Sequence, residues 1–380
     1  MPSVLHAITG LSTGGAEMML LKLVRAMDRE RFRPIVVSLI DKGTLGERIE
    51  ALGVPVFALG MGRGRSVLAG LRALGRIVDE TRPDLVQSWM YHANLFASGA
   101  VIASHTRAPV LWNIRASLDG LANEKRSTAA AIRAGAWMSR LPRGIVYNST
   151  ASAHQHEAMG YLARRTEIIP NGFDCDEFRP DQGAGPALRA ELGLTSDDIL
   201  VGCVGRYHPM KDQSGFLAAA AEAVGVDCRL HFVMVGAGVD DANSDLASAM
   251  ARFGLGACVH LLGERRDIPR LTAGLDIACS SSAWGEGFPN VIGEAMACGV
   301  PCAVTDTGDS ATIVGDCGEV VPVRDPSAMA RAMLTLVAMD PSRRAALGSA
   351  ARARIVENFS IDAVARRYET YYRRFIGREH

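Results

Sequence analysis

The run WGEGFPNVIGEAMACG, Trp284 to Gly299, holds two glutamates, Glu286 and Glu294, with seven residues between them. The strand-like run LDIACSSS precedes it. Trp284 to Phe288 therefore form a loop at the carboxyl end of a strand, and Gly299 ends the helix that follows. Pro289 suits the first helical position, where its missing N–H costs nothing. The N–H groups of Phe288, Asn290 and Val291, with Gly287 allowing close approach, then offer an anion seat at the positive end of a helix dipole, suited to a diphosphate. Glu294, one turn further on, is repelled by such an anion but can accept hydrogen bonds from a ribose diol. Glu286, on the loop, can do the same for a sugar. Acids flanking an anion seat suggest a nucleotide-sugar. The plainer alternative is a helix-start charge beside a solvated loop acid.

A second candidate is VGRYHPMKDQ, where Arg206 and Lys211 follow an apolar strand within one loop. Lysine is rare here, four against 37 arginines, which singles out Lys211. Such a pair can neutralise two phosphates, Arg206 as a fork and Lys211 as a point charge, with Asp212 capping the next helix. A solvated pair near a helix start is the alternative. A third candidate is ITGLSTGGAEMML, in which Gly14 and Gly15 let backbone approach a ligand between the first strand and first helix. Its spacing is not the six-residue dinucleotide fingerprint, which argues against a nicotinamide-dependent dehydrogenase. The DCD run at 174–176 reads as a turn rather than a metal-holding Asp-x-Asp element. No metal or cofactor is therefore expected, and leaving-group charge falls to Arg206, Lys211 and the helix dipole.

These loops need strands and helices to hold them. In the first half SVLHAIT, RPIVVSLI, VPVFALG, PDLVQSWM, APVLWNIR and GIVYNST read as strands, with helical periodicity between most of them. In the second half DILVGCVGR, RLHFVMVGAG, ACVHLLGE, LDIACSSS, VPCAVTD and GEVVPV do the same. The alternation predicts two α/β, Rossmann-like, doubly wound domains facing across a cleft, with ligand at the carboxyl ends of the strands. The expected boundaries are 1–175, 176–355 and a C-terminal helix over 356–380 that crosses back to the first domain. TEIIPNGFDCDEFRPDQGAGP reads as the linker, and closure about 170–180 would exclude water.

Composition fits a soluble two-domain protein, 48% hydrophobic and 22% charged. No apolar run is long enough to span a membrane, and MPSVLHAITG enters a strand pattern directly, so no leader is expected. The eight cysteines lack metal-ligand spacing and read as reduced, mostly buried side chains in a cytoplasmic protein. Zero net charge hides an asymmetry: residues 1–175 carry 21 Lys+Arg against 14 Asp+Glu, and the remainder 20 against 27. With aromatics at 6% and no reader motif, nucleic acid is not the expected partner. An anionic membrane surface on the inner face of the cytoplasmic membrane is a candidate, through GRGRSVLAGLRALGRIVDETR, with Arg63 and Arg65, and EKRSTAAAIRAGAWMSRLPR, with Trp137. Each is also an amphipathic helix able to cover a sheet.

Taken together, GGAE at 14–17, IIPNGFD at 168–174, GRYHPMKD at 205–212 and EGFPNVIGEAMACGVPCAVTD at 286–306 resemble the GT-B glycosyltransferases of family 4, the retaining, nucleotide-sugar-dependent group. WMYHAN and WNIRAS look like the branch that builds bacterial O-antigens and other surface polysaccharides. The resemblance implies transfer of a hexose, from a UDP-hexose donor, to a glycan or polyprenyl-diphosphate-linked acceptor. It implies that Arg206 and Lys211 grip the donor diphosphate, Glu286 binds the donor sugar and Glu294 the ribose. Gly14, Gly15 and the Phe288–Asn290 amides would line the phosphate and sugar, and Arg265 would present backbone to the base. Many members place a histidine after an N-terminal strand near the reacting carbon. Here Arg115 stands near that place and His92 ends another strand, so both are candidates. The other readings are a sugar-nucleotide epimerase or hydrolase on the same fold, and a non-catalytic nucleotide-sugar-binding scaffold.

Overall fold

A computed structural model describes residues 1–62, 66–118, 120–121 and 124–377. Arg63 and Arg65 lie outside the described residues. The chain divides into two compact units, Met1–Gly172 joined by the chain from Ile361 onward, and Phe173–Ser360.

The N-terminal unit is built on seven strands: β1 (Ser3–Ile8), β2 (Arg33–Ser38), β3 (Val56–Ala58), β4 (Leu85–Trp89), β5 (Val110–Ile114), β6 (Gly144–Tyr147) and β7 (Thr166–Ile168). All pairings are parallel, in the order β3-β2-β1-β4-β5-β6-β7. Helices α1 (Gly15–Ala26), α2 (Gly43–Glu50), α3 (Val67–Thr81), α4 (Tyr91–Ala103), α5 (Arg126–Met138) and α6 (Thr150–Ala158) connect them. Every residue of β1, β4, β5 and β6 is buried, as continuous apolar runs in a sheet covered on both faces should be. One element departs from the sequence reading. The sequence pattern places Thr166–Ile168 in the linker, yet this segment pairs with β6 as the edge strand. Three half-buried residues running straight into Pro-Asn-Gly carry too little periodicity to show a strand.

The C-terminal unit repeats the scheme with six parallel strands, β8 (Ile199–Val204), β9 (Leu230–Val235), β10 (Val259–Leu261), β11 (Ile277–Ser280), β12 (Cys302–Thr305) and β13 (Gly318–Val321), in the order β10-β9-β8-β11-β12-β13. Its helices are α7 (Ala184–Leu192), α8 (Gln213–Val224), α9 (Ser244–Phe253), α10 (Ile268–Ala273), α11 (Asn290–Ala297), α12 (Ser310–Val314), α13 (Pro326–Val337) and α14 (Pro341–Asn358). In both sheets the order in which strands are added reverses at the middle, between β1 and β4 and between β8 and β11, while every pairing stays parallel. Loops leaving those neighbouring strands diverge at their carboxyl ends, which is where an open α/β sheet binds ligand. Cys203, Cys279 and Cys302 sit on β8, β11 and β12 as buried free thiols, and burial pushes Cys203 up to about 11 and Cys302 to about 12. They serve as small apolar side chains.

The last helix, α15 (Ile361–Arg373), belongs to the N-terminal unit. Val364, Ala365, Tyr368 and Tyr372 enter its core with Trp89 and Phe32. Glu369 Oε1 accepts from the Asp28 amide at 2.9 Å, and Asn113 Nδ2 donates to the Tyr368 hydroxyl at 2.9 Å. No helix among the described residues is long and apolar enough to cross a membrane.

Candidate active site

In the C-terminal unit the loop leaving β8 is pinned before it reaches its charged residues. The Gly205 amide donates to Val235 O and the Tyr207 amide to Ala237 O, each at 2.8 Å, and Gln213 Nε2 donates to Arg206 O at 2.9 Å. Gly236 holds φ +151°, and a Cβ there would lie 2.2 Å from Gly205 O, so only glycine admits this approach. Asp212, itself left-handed at φ 49°, caps α8 by accepting from the Gly215 amide at 3.1 Å.

The loop leaving β11 is tied to the first one. Ser281 Oγ donates to Lys211 O at 2.8 Å, and the Ala283 amide donates to Met210 O at 2.8 Å. Thr305 Oγ1, at the end of β12, donates to Ser282 O at 2.7 Å. Behind the loop, the Asp309 amide donates to Gly287 O at 2.9 Å. These ties bring Lys211 and Glu286 together: Lys211 Nζ donates to Glu286 Oε1 at 2.5 Å, and Ser282 Oγ donates to the same oxygen at 2.7 Å. The two side chains are 18% and 11% exposed, so water screens this pair little. The residues lie 75 positions apart and meet because β8 and β11 are neighbours in the sheet.

Beyond Glu286 the chain enters α11. Pro289 is the N-cap, extended at φ −72° and ψ 105°, and Asn290 is the first helical residue, one later than its proline suggested. Its N-cap proline supplies no side-chain acceptor, in contrast to α8, α13 and α14, whose N-cap aspartates do. Phe288 points into the core, stacking on Phe173 with ring centroids 6.0 Å apart, which leaves its backbone as what it can offer a ligand. Glu294 is half-buried one turn into the helix. Gly293 beside it lets Phe173 pack on α11; a Cβ there would meet that ring at 2.1 Å.

The Arg206 side chain is exposed and has no ion pair among the described residues. Arg265 differs: its Nη1 donates to Glu191 at 2.6 Å, and its Nε and Nη2 donate to both oxygens of Asp267. Its guanidinium is committed to that network, so its contribution to a ligand is limited to backbone. In the DCD run, Asp174 Oδ1 accepts from the Asp176 and Glu177 amides, at 3.2 and 3.0 Å, forming the turn that the sequence suggested.

In the N-terminal unit Gly14 is the N-cap of α1 and Gly15 its first residue, after a short loop that leaves β1 at Ile8. A Cβ on Gly15 would meet nothing within 4 Å. One on Gly14 would lie 2.4 Å from Glu17 Oε2, a carboxyl whose pKa burial raises. His92 is the second residue of α4, at the carboxyl end of β4, and the turn into that helix is made by Met90 at φ +69°. A non-glycine residue there costs about 1–3 kcal/mol and is held in place by its surroundings. Met90 Sδ accepts from the Arg115 amide at 3.4 Å. Arg115 itself donates to Asn171 Oδ1, to Ile169 O at 3.3 Å, to Asn113 Oδ1 at 3.3 Å and to the Tyr368 hydroxyl at 2.7 Å. Those acceptors are neutral. Burial lowers the pKa of this guanidinium, and Tyr368 opposes the shift. The result is a fixed positive charge at the end of β5. The sequence reading named Arg115 and missed its supports, Asn171 and Tyr368. Asn171 was visible in the PNG turn, although nothing local tied it to an arginine 56 positions away.

A model of Glycosyltransferase Family 4 matches residues 13–177, and a model of Glycosyl transferases group 1 matches residues 198–339. EpsF of Bacillus subtilis (strain 168), which carries a glycosyltransferase name, is 26% identical over 319 residues, 80% of this chain and 79% of that protein. The UDP-Gal:alpha-D-GlcNAc-diphosphoundecaprenol alpha-1,3-galactosyltransferase of Escherichia coli is 30% identical over 151 residues, 40% of this chain and 39% of that protein. Among solved structures, Anabaena HepE in complex with UDP superposes with a TM-score of 0.83 at 23% identity, over 98% of this chain and 100% of that one.

Proposed function

Because the chain belongs to the GT-B glycosyltransferases, we propose that it moves a hexose from a UDP-hexose to a lipid-linked or oligosaccharide acceptor in surface polysaccharide synthesis, retaining the anomeric configuration and using no metal. The observation that carries the proposal is the Lys211–Glu286 contact just before the start of α11. A cation, a set of helix amides and a carboxylate converge there, matching the diphosphate and hydroxyls of one nucleotide-sugar. The names of the E. coli relative and of the HepE complex point to uridine diphosphate among the nucleotides.

In this reading Lys211 and Arg206 take the diphosphate, and the α11 amides neutralise the charge that grows as the C1–O bond to phosphate breaks. Glu286 accepts from donor-sugar hydroxyls, and Glu294 from the ribose. The acceptor oxygen attacks C1 from the face the diphosphate leaves, and its proton passes to the departing phosphate oxygen. No protein base is required. On the N-terminal unit, the amides at Gly14 and Gly15 serve as a second phosphate seat, and His92 and Arg115 are the residues assigned to the reacting centre. Exposed Val67, Leu68 and Trp137, among the basic residues of α3 and α5, are assigned to a membrane surface.

The test is transfer from a panel of nucleotide-sugars in the presence of chelator. UDP-hexose should be turned over, and activity that returns only on adding Mn²⁺ would overturn the metal-free mechanism. Lys211→Ala should weaken UDP binding roughly 10- to 100-fold, the worth of a charged hydrogen bond. Unchanged affinity would remove the diphosphate role.

A further inference from the structure

Four residues other than glycine hold a left-handed backbone among the described residues: Arg82, Met90, Asp212 and Arg324. Arg82 closes α3, where that conformation ends a helix. Met90 turns the chain into His92, and Asp212 caps α8 directly after Lys211. Arg324, at φ 57°, stands on the loop between β13 and α13, where a glycine would sit without strain. The backbone on both sides is fixed. Val321 O accepts from the Asp306 amide at 2.8 Å, and Asp325 Oδ1 caps α13 by accepting from the Ala328 amide at 2.8 Å. These bonds account for the turn, and the side chain accounts for an arginine in it. The Arg324 guanidinium carbon lies 5.2 Å from the centre of the Trp284 ring, within cation–π range.

Trp284 is half-buried and is joined to Glu286 by Gly285 at φ +74°. Around it the loop is held by hydrogen bonds: the Ser282 carbonyl accepts from Thr305 Oγ1, the Ala283 amide donates to Met210 O, and the Gly287 carbonyl accepts from the Asp309 amide. Trp284 is held through its ring. Its contact with Arg324 runs from the loop after β11, past β12, to the loop after β13, all at the carboxyl ends of the strands. We infer that Arg324 is a positioning residue for the donor sugar. By lying on Trp284 it fixes the segment Trp284–Glu286, and with it the direction in which the Glu286 carboxylate is presented. This rests on the nucleotide-sugar reading of the site. In that reading Lys211 serves the diphosphate, and its turn is anchored apart from Arg324, by the bonds that Ser281 Oγ and the Ala283 amide donate to Lys211 O and Met210 O. Loss of the Arg324 contact is therefore felt by the sugar and not by the nucleotide.

Calorimetry on the full chain with UDP, UDP-glucose and UDP-galactose tests this. Arg324→Gly should bind whichever UDP-hexose the wild type binds about two- to fivefold more weakly, the strength of an exposed cation–π contact. UDP affinity and the melting temperature should hold, since glycine takes the left-handed turn freely. Arg324→Gln removes the charge alone and should match Arg324→Gly in both affinities. Arg324→Lys keeps a cation for the ring and should restore most of the UDP-hexose affinity. In a Trp284→Leu background Arg324→Gln should cost nothing further. A residue that only braced the fold would lower the melting temperature and weaken UDP and UDP-hexose equally. That outcome, or unchanged UDP-hexose affinity in Arg324→Gln, would overturn the positioning role. A wild-type protein that binds neither UDP-hexose would instead overturn the reading of the site on which it rests.

Discussion

Lys211 and Glu286 satisfy each other's charge in a pocket that water screens poorly, and a donor would have to supply both partners at once. Removing either leaves the other charge unpaired, so a double-mutant cycle over the two should show strong coupling. Two buried histidines of the N-terminal unit set a different residue property, its response to acid. His6 is fully buried, its Nδ1 accepting from Trp89 Nε1 at 3.2 Å, and burial followed by Arg29 lowers its pKa to about 3. His156 donates from Nδ1 to Ser152 O at 2.7 Å and so accepts from the Tyr91 hydroxyl at Nε2; burial lowers it to about 4. Unfolded, both take a proton near 6.5, so between that pH and the folded values the unfolded chain binds more protons. Their contribution to stability is complete above pH 6.5 and declines as pH falls, by at most about 1.4 kcal/mol per pH unit for each histidine. Urea midpoints from pH 7.5 to 4.5 should fall accordingly, and His6→Gln should flatten that slope. A slope identical to the wild type in His6→Gln would show that His6 is not the group responsible.

Strand-to-loop junctions convert that residue chemistry into geometry. Glu286 is placed from behind by Gly308, which holds φ +59° with its Cα against the Glu286 and Gly287 carbonyls. A Cβ at Gly308 would lie 2.4 Å from Glu286 O and 2.6 Å from Gly287 O. Gly308→Ala should therefore cost about 1–3 kcal/mol of stability and lower kcat by displacing Glu286. Gly15→Ala makes the opposite prediction. Nothing stands within 4 Å of the new methyl group, so the melting temperature should hold while transfer slows, because the methyl group occupies the space assigned to phosphate. Full activity in Gly15→Ala would remove Gly15 from the site. Serines 281 and 282 act at the same junctions, tying one loop to the backbone of the other and fixing the carboxylate.

Across the whole chain the two units divide charge more sharply than the halves of the sequence do. The N-terminal unit, counted with the residues from Ile361, has 26 Lys+Arg against 16 Asp+Glu, and Phe173–Ser360 has 15 against 25. Helix α15 adds five of those basic residues together with the chain after it, and it also supplies core to the unit it joins. A chain ending at Ser360 should therefore lose the N-terminal unit, since Tyr368 and Tyr372 are each fully buried and a large aromatic removed from a core costs about 3–5 kcal/mol. Residues 173–360 expressed alone should unfold cooperatively, because every strand of that sheet lies within them. Tyrosine and tryptophan fluorescence during urea unfolding of both truncations checks the pair of expectations; an N-terminal unit as stable without α15 would overturn them.

What the amino-acid sequence determined by itself is whatever depends on neighbours along the chain. Apolar runs of strand length with helical periodicity between them specify two doubly wound sheets, and those are the sheets observed. Glycines and prolines at the ends of strands marked the loops, and a family signature was legible in four contiguous stretches. The tertiary structure decided what depends on strand order. Lys211 reaches Glu286 because β8 lies beside β11, and Arg115 is held by residues 56 and 253 positions away. Edge strand β7 and the partners of α15 belong to the same class. The physical reason is that side-chain proximity across a sheet is set by which strands pair, and pairing is a property of the packed core as a whole rather than of any local segment.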